Sequence, residues 1–414
     1  CFPNLTFSIE HALGLFEHPY ERRAKNLVDR VQHILQNHSG IGVKTLKLKL
    51  CGCDSGITAY HLNSWLQLIV KPVIVELAVH LPRCKDLDLF PSCGFHPASR
   101  TGCWRSLLSV CLHSVRITEK VLGCFLSSTF ALEKLSLLSC NEIAILKIPS
   151  LLQQLSFLEV SLCRMVQIID SDAPMLSTFI YVAPPIKISF GDSSLVKKIK
   201  VNSSLYSGMV QFARTRLPSI ASNLQALTLS SYGEAFNTPM IPDKFLHLKY
   251  LNICLCGRDT FRGYDFFSLV SFLEASPALE CFGLCAGEHT KLRRDSILGI
   301  SSGEMRQVPG FRQDNLKAVC ITGFCSAKSL VELTSQILQN TPSLQDLVLD
   351  TTHGFHNEFV ELGKCHIMCN EALTEANNAV EALRMYVEGK VPSSVRLKVW
   401  EPCKRCHAGK SRRT

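Results

Sequence analysis

The pattern of residues best suited to chemistry lies near the C-terminus, where Cys403 and Cys406 are followed directly by His407. In an exported protein the pattern Cys-x-x-Cys-His attaches haem. Thiolates and an imidazole also bind zinc, which takes four such ligands in a tetrahedral site. Further ligands would have to come from Cys365, His366 and Cys369. Because their spacing matches no standard zinc module, we favour structural cysteines and keep a metal site as the alternative.

Two glycine-containing patterns have the spacing of reactive motifs without the surroundings that those motifs need. Gly299–Gly303 reads Gly-x-Ser-x-Gly, which would make Ser301 the nucleophile of an esterase. That motif follows a buried strand and precedes a helix, whereas a polar segment precedes it here. Gly40–Thr45 lacks the glycine that must stand before the lysine of a phosphate loop, because Val43 precedes Lys44. We reject the phosphate loop and regard the serine pattern as a chance match.

The other ionisable residues form no recognisable active site. The chain has 14 histidines, and none stands in a catalytic pattern with a nucleophile or a carboxylate. No pair of carboxylates indicates general acid–base chemistry. We therefore predict that the protein is not an enzyme and that it has no catalytic residue, no cofactor and no resident metal.

The dominant pattern is a phrase with apolar residues at its first, fourth and sixth positions and Cys or another small apolar residue at its ninth. It is clearest in the segments that begin at Leu132, Leu155, Leu224, Leu248, Leu279, Leu316 and Leu344. Looser copies begin at Val43, Ile74, Cys84, Leu107, Leu176 and Val196. From Cys84 to Leu344 the mean spacing is about 26 residues, which is the period of a leucine-rich repeat. The phrase predicts an α/β solenoid, a horseshoe with irregular repeats of about 20–37 residues.

Helices are predicted where apolar residues recur at helical spacing. Arg22–Asn37 has such a pattern and would cover the open end of the stack ahead of the first strand. Phe266–Ala275 and Ser329–Asn340 also read as helices, and each is followed by Ser-Pro or Thr-Pro, which ends a helix. Cys369–Glu388 reads as a further helix with one apolar side. The polar segment Glu288–Gln313 contains several glycines and reads as a long loop.

These elements divide the chain into four parts. Residues 1–42 are predicted to be an N-terminal capping region, and 43–352 the repeats. Residues 353–402 are predicted to form an α+β cap that ends in the strand Val395–Val399. Residues 403–414 are predicted to be a mobile basic tail.

Cysteine content and charge indicate the compartment. The chain has 20 cysteines and opens with no signal-peptide pattern. Several cysteines, such as Cys140, Cys163 and Cys256, stand at the closing apolar position of the phrase, where a free thiol packs as a small hydrophobe. No uninterrupted apolar stretch is long enough to span a bilayer. We therefore expect a reduced protein of the cytoplasm and/or the nucleus.

The formal net charge of +9 is modest for this length, and part of it lies in the basic tail. A solvated tail explains that charge without a nucleic-acid partner. The predicted partners therefore include no membrane and no nucleic acid.

Segments at both ends resemble one family. Cys1–Ser8, Gly389–Leu397 and Glu401–His407 are similar to the segments that flank the repeats in plant F-box/leucine-rich-repeat proteins, including the FBD-related ones. In that family the F-box binds a Skp1-like adaptor, and the repeats hold the substrate of an SCF-type (Skp1-cullin-F-box) E3 ubiquitin ligase. The resemblance implies a substrate-recognition region. No F-box phrase precedes Cys1, so we expect the adaptor as a partner only if an F-box lies upstream. The alternative is a repeat scaffold or decoy without an F-box.

The predicted binding surface is the concave face of the repeats. In each Leu-x-Leu strand the residues between the inward side chains point outward. The candidates, all polar residues at such positions, are Lys47, Lys49, His80, Asp88, His113, Ser136, Glu159, Ser161, Thr228, Asn252, Thr322 and Asp350. Their mixed charge specifies no class of partner beyond an unknown substrate protein, and whether a small molecule bridges the interface stays open.

Overall fold

The computed structural model describes most of the 414 residues of the chain. The described ranges are 3–8, 20–38, 43–50, 61–62, 64–66, 73–81, 104–191, 195–203, 207–234, 237–256, 264–287, 292–299, 304–352 and 368–403. The chain divides into two compact units, Cys1–Val196 (unit 1) and Lys197–Thr414 (unit 2). Each unit contains a run of parallel strands that follow one another in chain order.

Unit 1 is built from strands in two sheets and two helices among its described residues. The strands are β1 (Asn4–Ser8), β2 (Thr45–Lys49), β3 (Glu76–His80), β4 (Ser109–His113), β5 (Lys134–Leu138), β6 (Ile145–Ile148), β7 (Phe157–Ser161), β8 (Ile168–Ser171), β9 (Thr178–Val182) and β10 (Lys187–Ser189). The helices are α1 (Tyr20–Asn37) and α2 (Glu119–Leu126). The main sheet has the order β1-β2-β3-β4-β5-β7-β9, and the small sheet has the order β10-β8-β6.

Each strand of the main sheet between β2 and β9 contributes two inward side chains to a continuous core. In β5 these are Leu135 and Leu137, which stand in register with Leu158 and Val160 of β7. All four are 0–1% exposed. Truncating one such leucine to alanine typically costs about 2–5 kcal/mol, because the neighbours cannot close the cavity. The predicted Leu-x-Leu strands and their inward pairs are confirmed.

The small sheet was not predicted. Its strands are three or four residues long and do not carry the repeat phrase, yet their apolar residues Leu146, Ile148, Ile169 and Ile188 are buried. β8 pairs in parallel with both β6 and β10. Consecutive repeats in this part of unit 1 therefore return through a short strand rather than through a helix.

The N-terminal region differs from the prediction in one respect. The helix expected over Arg22–Asn37 is present as α1, with Leu27 and Val31 buried. The expectation that this helix precedes the first strand is wrong, because β1 lies before it and pairs in parallel with β2 from Asn4↔Thr45 to Ser8↔Lys49. The alternation of Leu5 and Phe7 was too short to be recognised as a strand.

A common turn follows three consecutive strands of unit 1. Ser114, Ser139 and Leu162 have φ angles of 56°, 54° and 56°, in the left-handed region that L-residues rarely occupy. The backbone N–H of each donates to a carbonyl of the next strand in the sheet, as from Ser139 to Ser161 at 2.8 Å. In unit 2, glycines with φ of 63° and 64° follow strands at Gly233 and Gly323.

Buried cysteines follow two of these turns. The Cys140 thiol donates to the Leu112 carbonyl at 3.5 Å, and the Cys163 thiol donates to the Leu137 carbonyl at 3.4 Å. The Cys140 N–H in turn donates to the Cys163 sulfur at 3.3 Å. The hydrogen bond between the two thiols, together with burial, raises the pKa of Cys140. Packing of these free thiols as small buried groups is confirmed.

Unit 2 follows the same plan with helices on its connecting side. Its strands are β11 (Lys198–Ser203), β12 (Ala226–Tyr232), β13 (Tyr250–Cys256), β14 (Cys281–Cys285), β15 (Ala318–Thr322), β16 (Asp346–Asp350) and β17 (Arg396–Trp400), paired in parallel in that order. Its helices are α3 (Met209–Ile220), α4 (Val270–Ala275, after a 3₁₀ turn at Phe266–Leu269), α5 (Lys328–Asn340) and α6 (Asn370–Tyr386). The predicted helices over 266–275, 329–340 and 369–388 and the predicted final strand are confirmed within two residues.

Buried charged side chains fix the irregular segments of unit 2. Arg214 of α3 is 2% exposed and donates to Ser271 and to the carbonyls of Ile241 and Asp243. Glu375 of α6 is 1% exposed and accepts from the Ser326 N–H at 2.9 Å and from the Arg293 N–H at 3.0 Å. Because an unpaired buried charge is costly, these contacts hold the loops in place.

The described part of the long loop is held on α5 by an ion pair. Arg306 donates to Glu332, whose side chain is fully buried, at 2.7 Å and to Asp265 at 2.7 Å. Its guanidinium also lies 4.6 Å from the centre of the Phe267 ring. The hydrogen bonds from Asp265, and then Glu332, raise the pKa of Arg306. The prediction of a loop over 288–313 agrees with the described residues of that range, which form only turns and one isolated bridge at Ser296.

We expect Leu162→Gly to raise the free energy of unfolding by about 0.5–1 kcal/mol, because glycine occupies the left-handed region without the steric cost of a Cβ. Leu162 is 37% exposed, so little packing is lost. Urea denaturation measures the change. Leu162→Ala is the control, since it shortens the side chain and keeps the Cβ. A gain in both variants would contradict this explanation.

We expect Arg306→Met to lower the free energy of unfolding by about 3 kcal/mol, because it leaves the Glu332 carboxylate buried without its main partner. The double variant Arg306→Met/Glu332→Gln should recover part of that loss, since a neutral amide costs less to bury. Thermal or urea denaturation of both variants checks this. Equal stability of the single and double variants would show that the charge of Glu332 is not the cause.

Candidate functional site

The outward side chains of each unit form a strand face opposite the buried apolar core. In unit 1 the register places the third residues of β2, β3, β4, β5, β7 and β9 in one row. That row is Lys47, Ala78, Cys111, Ser136, Glu159 and Ile180. Since neighbouring strands lie about 4.8 Å apart, side chains along this row contact one another.

The polar groups of the unit 1 strand face largely satisfy each other. Lys47 pairs with Glu76 at 2.7 Å. Glu159 accepts from Ser136 at 3.0 Å through one carboxylate oxygen and from Ser161 at 3.1 Å through the other. Much of the hydrogen-bonding capacity of this face is therefore used within the unit.

Two histidines and a cysteine form a cluster at the C-terminal ends of β3 and β4. The rings of His80 and His113 meet edge to face, with centroids 5.4 Å apart. The Cys111 sulfur lies 3.6 Å from His80 Nε2. Burial raises the pKa of the Cys111 thiol to about 11, and the nearby carboxylate of Glu159 adds to the effect. A thiol that holds its proton this firmly is a poor nucleophile, so the Cys111–His80 contact does not indicate covalent catalysis.

The unit 2 strand face has a different character. Its middle row, set by the register of β11 to β17, is Lys200, Thr228, Asn252, Gly283, Cys320, Val348 and Lys398. The five central members carry no charge. Together with Tyr250, Cys281, Ala318 and neighbouring atoms they line an open groove of about 330 Å³. We call this depression the unit 2 groove.

Gly283 forms the floor of the groove because it has no side chain. A Cβ at this position would stand 2.6 Å from Oδ1 of Asn252, so the Asn252 amide occupies the space above the glycine. Neither Asn252 nor Thr228 makes a side-chain hydrogen bond to any residue in the described ranges. Two polar groups in an otherwise apolar groove thus remain available to a ligand.

Charged residues line the edge of the groove where the strands begin. Glu280 accepts from Lys317 at 3.0 Å and pairs with Lys249 at 3.2 Å. These two lysines, Lys317 first, lower the pKa of Glu280. On the far side Arg396 pairs with Asp346 at 2.8 Å. The Glu280 carboxylate is shared by two cations, which leaves excess positive charge at this edge.

The predicted site residues divide into three groups. Eight lie on the two strand faces and are at least partly exposed: Lys47, Lys49, His80, His113, Ser136, Glu159, Thr228 and Asn252. Three others, Ser161, Thr322 and Asp350, are at most 6% exposed, so their prediction as exposed contact residues is wrong. Asp88 lies outside the described residues.

The three buried residues share a physical cause. Each ends its strand, where the chain turns over the sheet, so alternation along the strand no longer determines exposure. Asp350 shows this most clearly, since its Oδ1 accepts from both the N–H and the hydroxyl of Thr352 at 2.7 Å. The groove residues Gly283, Cys281 and Cys320 were missed because only polar outward residues were selected.

The motifs near the C-terminus and in the long loop fall mostly outside the description. Cys406, His407 and Ser301 lie outside it, whereas Cys403 is partly exposed and Cys369 is exposed. Among the residues that the structure does describe, no cluster of three His, Cys, Asp or Glu side chains could hold a metal ion. The metal-site alternative therefore stays a prediction.

We expect the stability of unit 1 to fall as the pH drops below about 6.5, because burial, with the charges of His113, Lys49 and Lys47, lowers the pKa of His80 from its ordinary value of 6.5. The unfolded chain binds the proton first, so acid favours unfolding. His80→Gln should weaken this dependence. Urea midpoints of both proteins between pH 5 and pH 8 test it, and parallel pH curves would contradict it.

Comparison with known proteins identifies the family. None of the described helices is long and apolar enough to cross a membrane. A search of curated proteins found no match. A family model described as "At1g61320/AtMIF1, LRR domain" matches residues 34–404, which is most of the chain. The chain therefore belongs to this family of leucine-rich-repeat domains.

Proposed function

We propose that the chain is a protein-recognition module that binds its partner on the strand faces. The unit 2 groove is the observation that carries the proposal: an uncharged row across five strands, with excess positive charge at its edge. Leucine-rich repeats use such regular faces to hold other proteins. A parallel sheet with a packed core keeps the contact residues in fixed positions, which reduces the entropy lost on binding.

The more specific proposal is a substrate-recognition region of an SCF-type E3 ubiquitin ligase adaptor. It is supported by the resemblance of Cys1–Ser8, Gly389–Leu397 and Glu401–His407 to the flanking segments of plant F-box/leucine-rich-repeat proteins. In this proposal the strand faces hold the substrate, and an F-box upstream would bind a Skp1-like adaptor. The alternative is a repeat scaffold or decoy that binds the same kind of partner without a ligase.

We also propose that the protein works in the cytoplasm and/or the nucleus. Buried free thiols such as Cys140 and Cys163 support a reducing environment, because oxidation would disturb the packing of the turns.

Photo-crosslinking tests the recognition function. A photoreactive amino acid is placed at Thr228 or Lys47 on the strand faces, and at Glu274 of α4 as an exposed control on the connecting side. We expect a discrete crosslinked protein, identified by mass spectrometry, from at least one face position and not from Glu274. Crosslinking only from Glu274 would overturn the proposal.

Affinity purification of the full-length gene product separates the ligase from the scaffold. A ligase adaptor should bring down a Skp1-like protein in near-equal amount, whereas residues 1–414 alone should retain the crosslinked partner without it. Recovery of the partner with no Skp1-like protein from the full-length product would favour the scaffold or decoy.

A further inference from the structure

We propose that the unit 2 groove binds a segment of the partner protein in which one large apolar side chain is flanked by carboxylates. The apolar side chain sits above Gly283, and the carboxylates face the lysines at the edge of the groove. The proposal rests on the proposed recognition function and specifies the chemistry of the partner.

The first argument is the shape and lining of the groove. A volume of about 330 Å³ is sufficient for one large side chain together with part of the backbone that carries it. Cys281, Cys320 and Val348 provide apolar contacts around the floor at Gly283. An apolar side chain that enters would displace water from these surfaces, which is the main favourable contribution to binding.

The second argument is the unused hydrogen-bonding capacity of the groove. Within the described structure the Asn252 amide and the Thr228 hydroxyl have no hydrogen-bond partner. Asn252 lies directly over the floor, so its amide is placed to bond the backbone of a segment that crosses the groove. An amide bonds backbone groups of any sequence and therefore adds affinity without demanding a particular side chain.

The third argument is charge. On the described residues of this face and its N-terminal edge, cations outnumber carboxylates. The cations are Lys198, Lys200, Lys249, Lys317, Arg396 and Lys398, and the carboxylates are Glu280 and Asp346. The excess positive potential favours a partner with acidic residues beside its apolar anchor and disfavours a basic one.

The unit 1 strand face provides the contrast. There the carboxylate of Glu159 accepts from two serines, and Lys47 is paired with Glu76. A partner that binds unit 1 would have to replace these internal contacts, whereas a partner that binds the groove would use free ones. This difference assigns the acidic, apolar segment to unit 2.

The test begins with a displayed library of random 12-residue peptides, selected on the intact chain. Selected peptides are then synthesised with a fluorophore, and their affinity is measured by anisotropy. We expect one large apolar residue with Asp or Glu within about three positions. Replacing that apolar residue by alanine should weaken binding at least tenfold, which corresponds to about 1.4 kcal/mol.

Variants of the groove assign the site. Gly283→Leu fills the floor and should weaken binding at least tenfold. It should also fold normally, because Gly283 does not have the left-handed backbone that excludes other residues and leucine suits a strand better than glycine. Ser136→Leu adds a similar bulk to the corresponding row of unit 1 and should leave the affinity unchanged. Circular dichroism and melting temperature confirm that both variants are folded.

Charge variants test the second half of the proposal in both directions. Lys317→Glu should weaken binding severalfold, and Glu280→Gln should strengthen it about twofold, since it removes the carboxylate that the two lysines share. Lys134→Glu on unit 1 is the matched control and should have no effect. Raising NaCl from about 50 to 300 mM should weaken binding, because salt screens these contacts.

Several outcomes would overturn the proposal. Basic peptides, peptides without an apolar residue, peptides that bind Gly283→Leu as well as the unaltered chain, and a selection with no enrichment each contradict it. The recognition function is judged separately by the crosslinking experiment. A partner that crosslinks at Lys47 and still binds Gly283→Leu would leave that function standing while the groove proposal fails.

Discussion

The fold depends on the in-register stacking of inward apolar pairs from one parallel strand to the next. No repeat can bury its own pair, because Leu135 and Leu137 become inaccessible only when β4 and β7 lie on either side. Once that stacking fixes the register, every second residue must point outward, at a spacing set by the sheet. The rows on the strand faces are therefore a by-product of core packing, and function acts only on which side chains fill them.

Variation among the repeats lies in how the chain returns. In unit 1 the short strands β6, β8 and β10 do this, and in unit 2 helices such as α3 and α5 do. The longer returns bring buried charged groups with them. Arg214, Glu332 and Glu375 each anchor an irregular segment through several hydrogen bonds. A helix needs more residues per repeat than a short strand, and the resulting loops need such anchors because they have few apolar residues of their own.

Sequence patterns predicted those parts of the structure that have a clear period. The inward pairs, α1, α5 and α6 follow from leucine and helical spacing. β1 and the small sheet could not be predicted, because a strand of three to five residues shows too few alternations to distinguish it from a loop. The groove was missed for a different reason. Gly283 matters through the side chain it lacks, and Asn252 through the neighbour that makes room for it.

The turns after β4, β5 and β7 give the array a direction. The N–H of Ser114 donates to Leu138, that of Ser139 to Ser161, and that of Leu162 to Val182, so each turn is completed by the strand that follows it in the chain. On a ribosome, which releases the chain from its N-terminus, the donors at the end of each new repeat stay unsatisfied until the next strand emerges. The growing end of unit 1 therefore always presents open N–H groups aimed at the strand still to come, which makes the next repeat its natural partner.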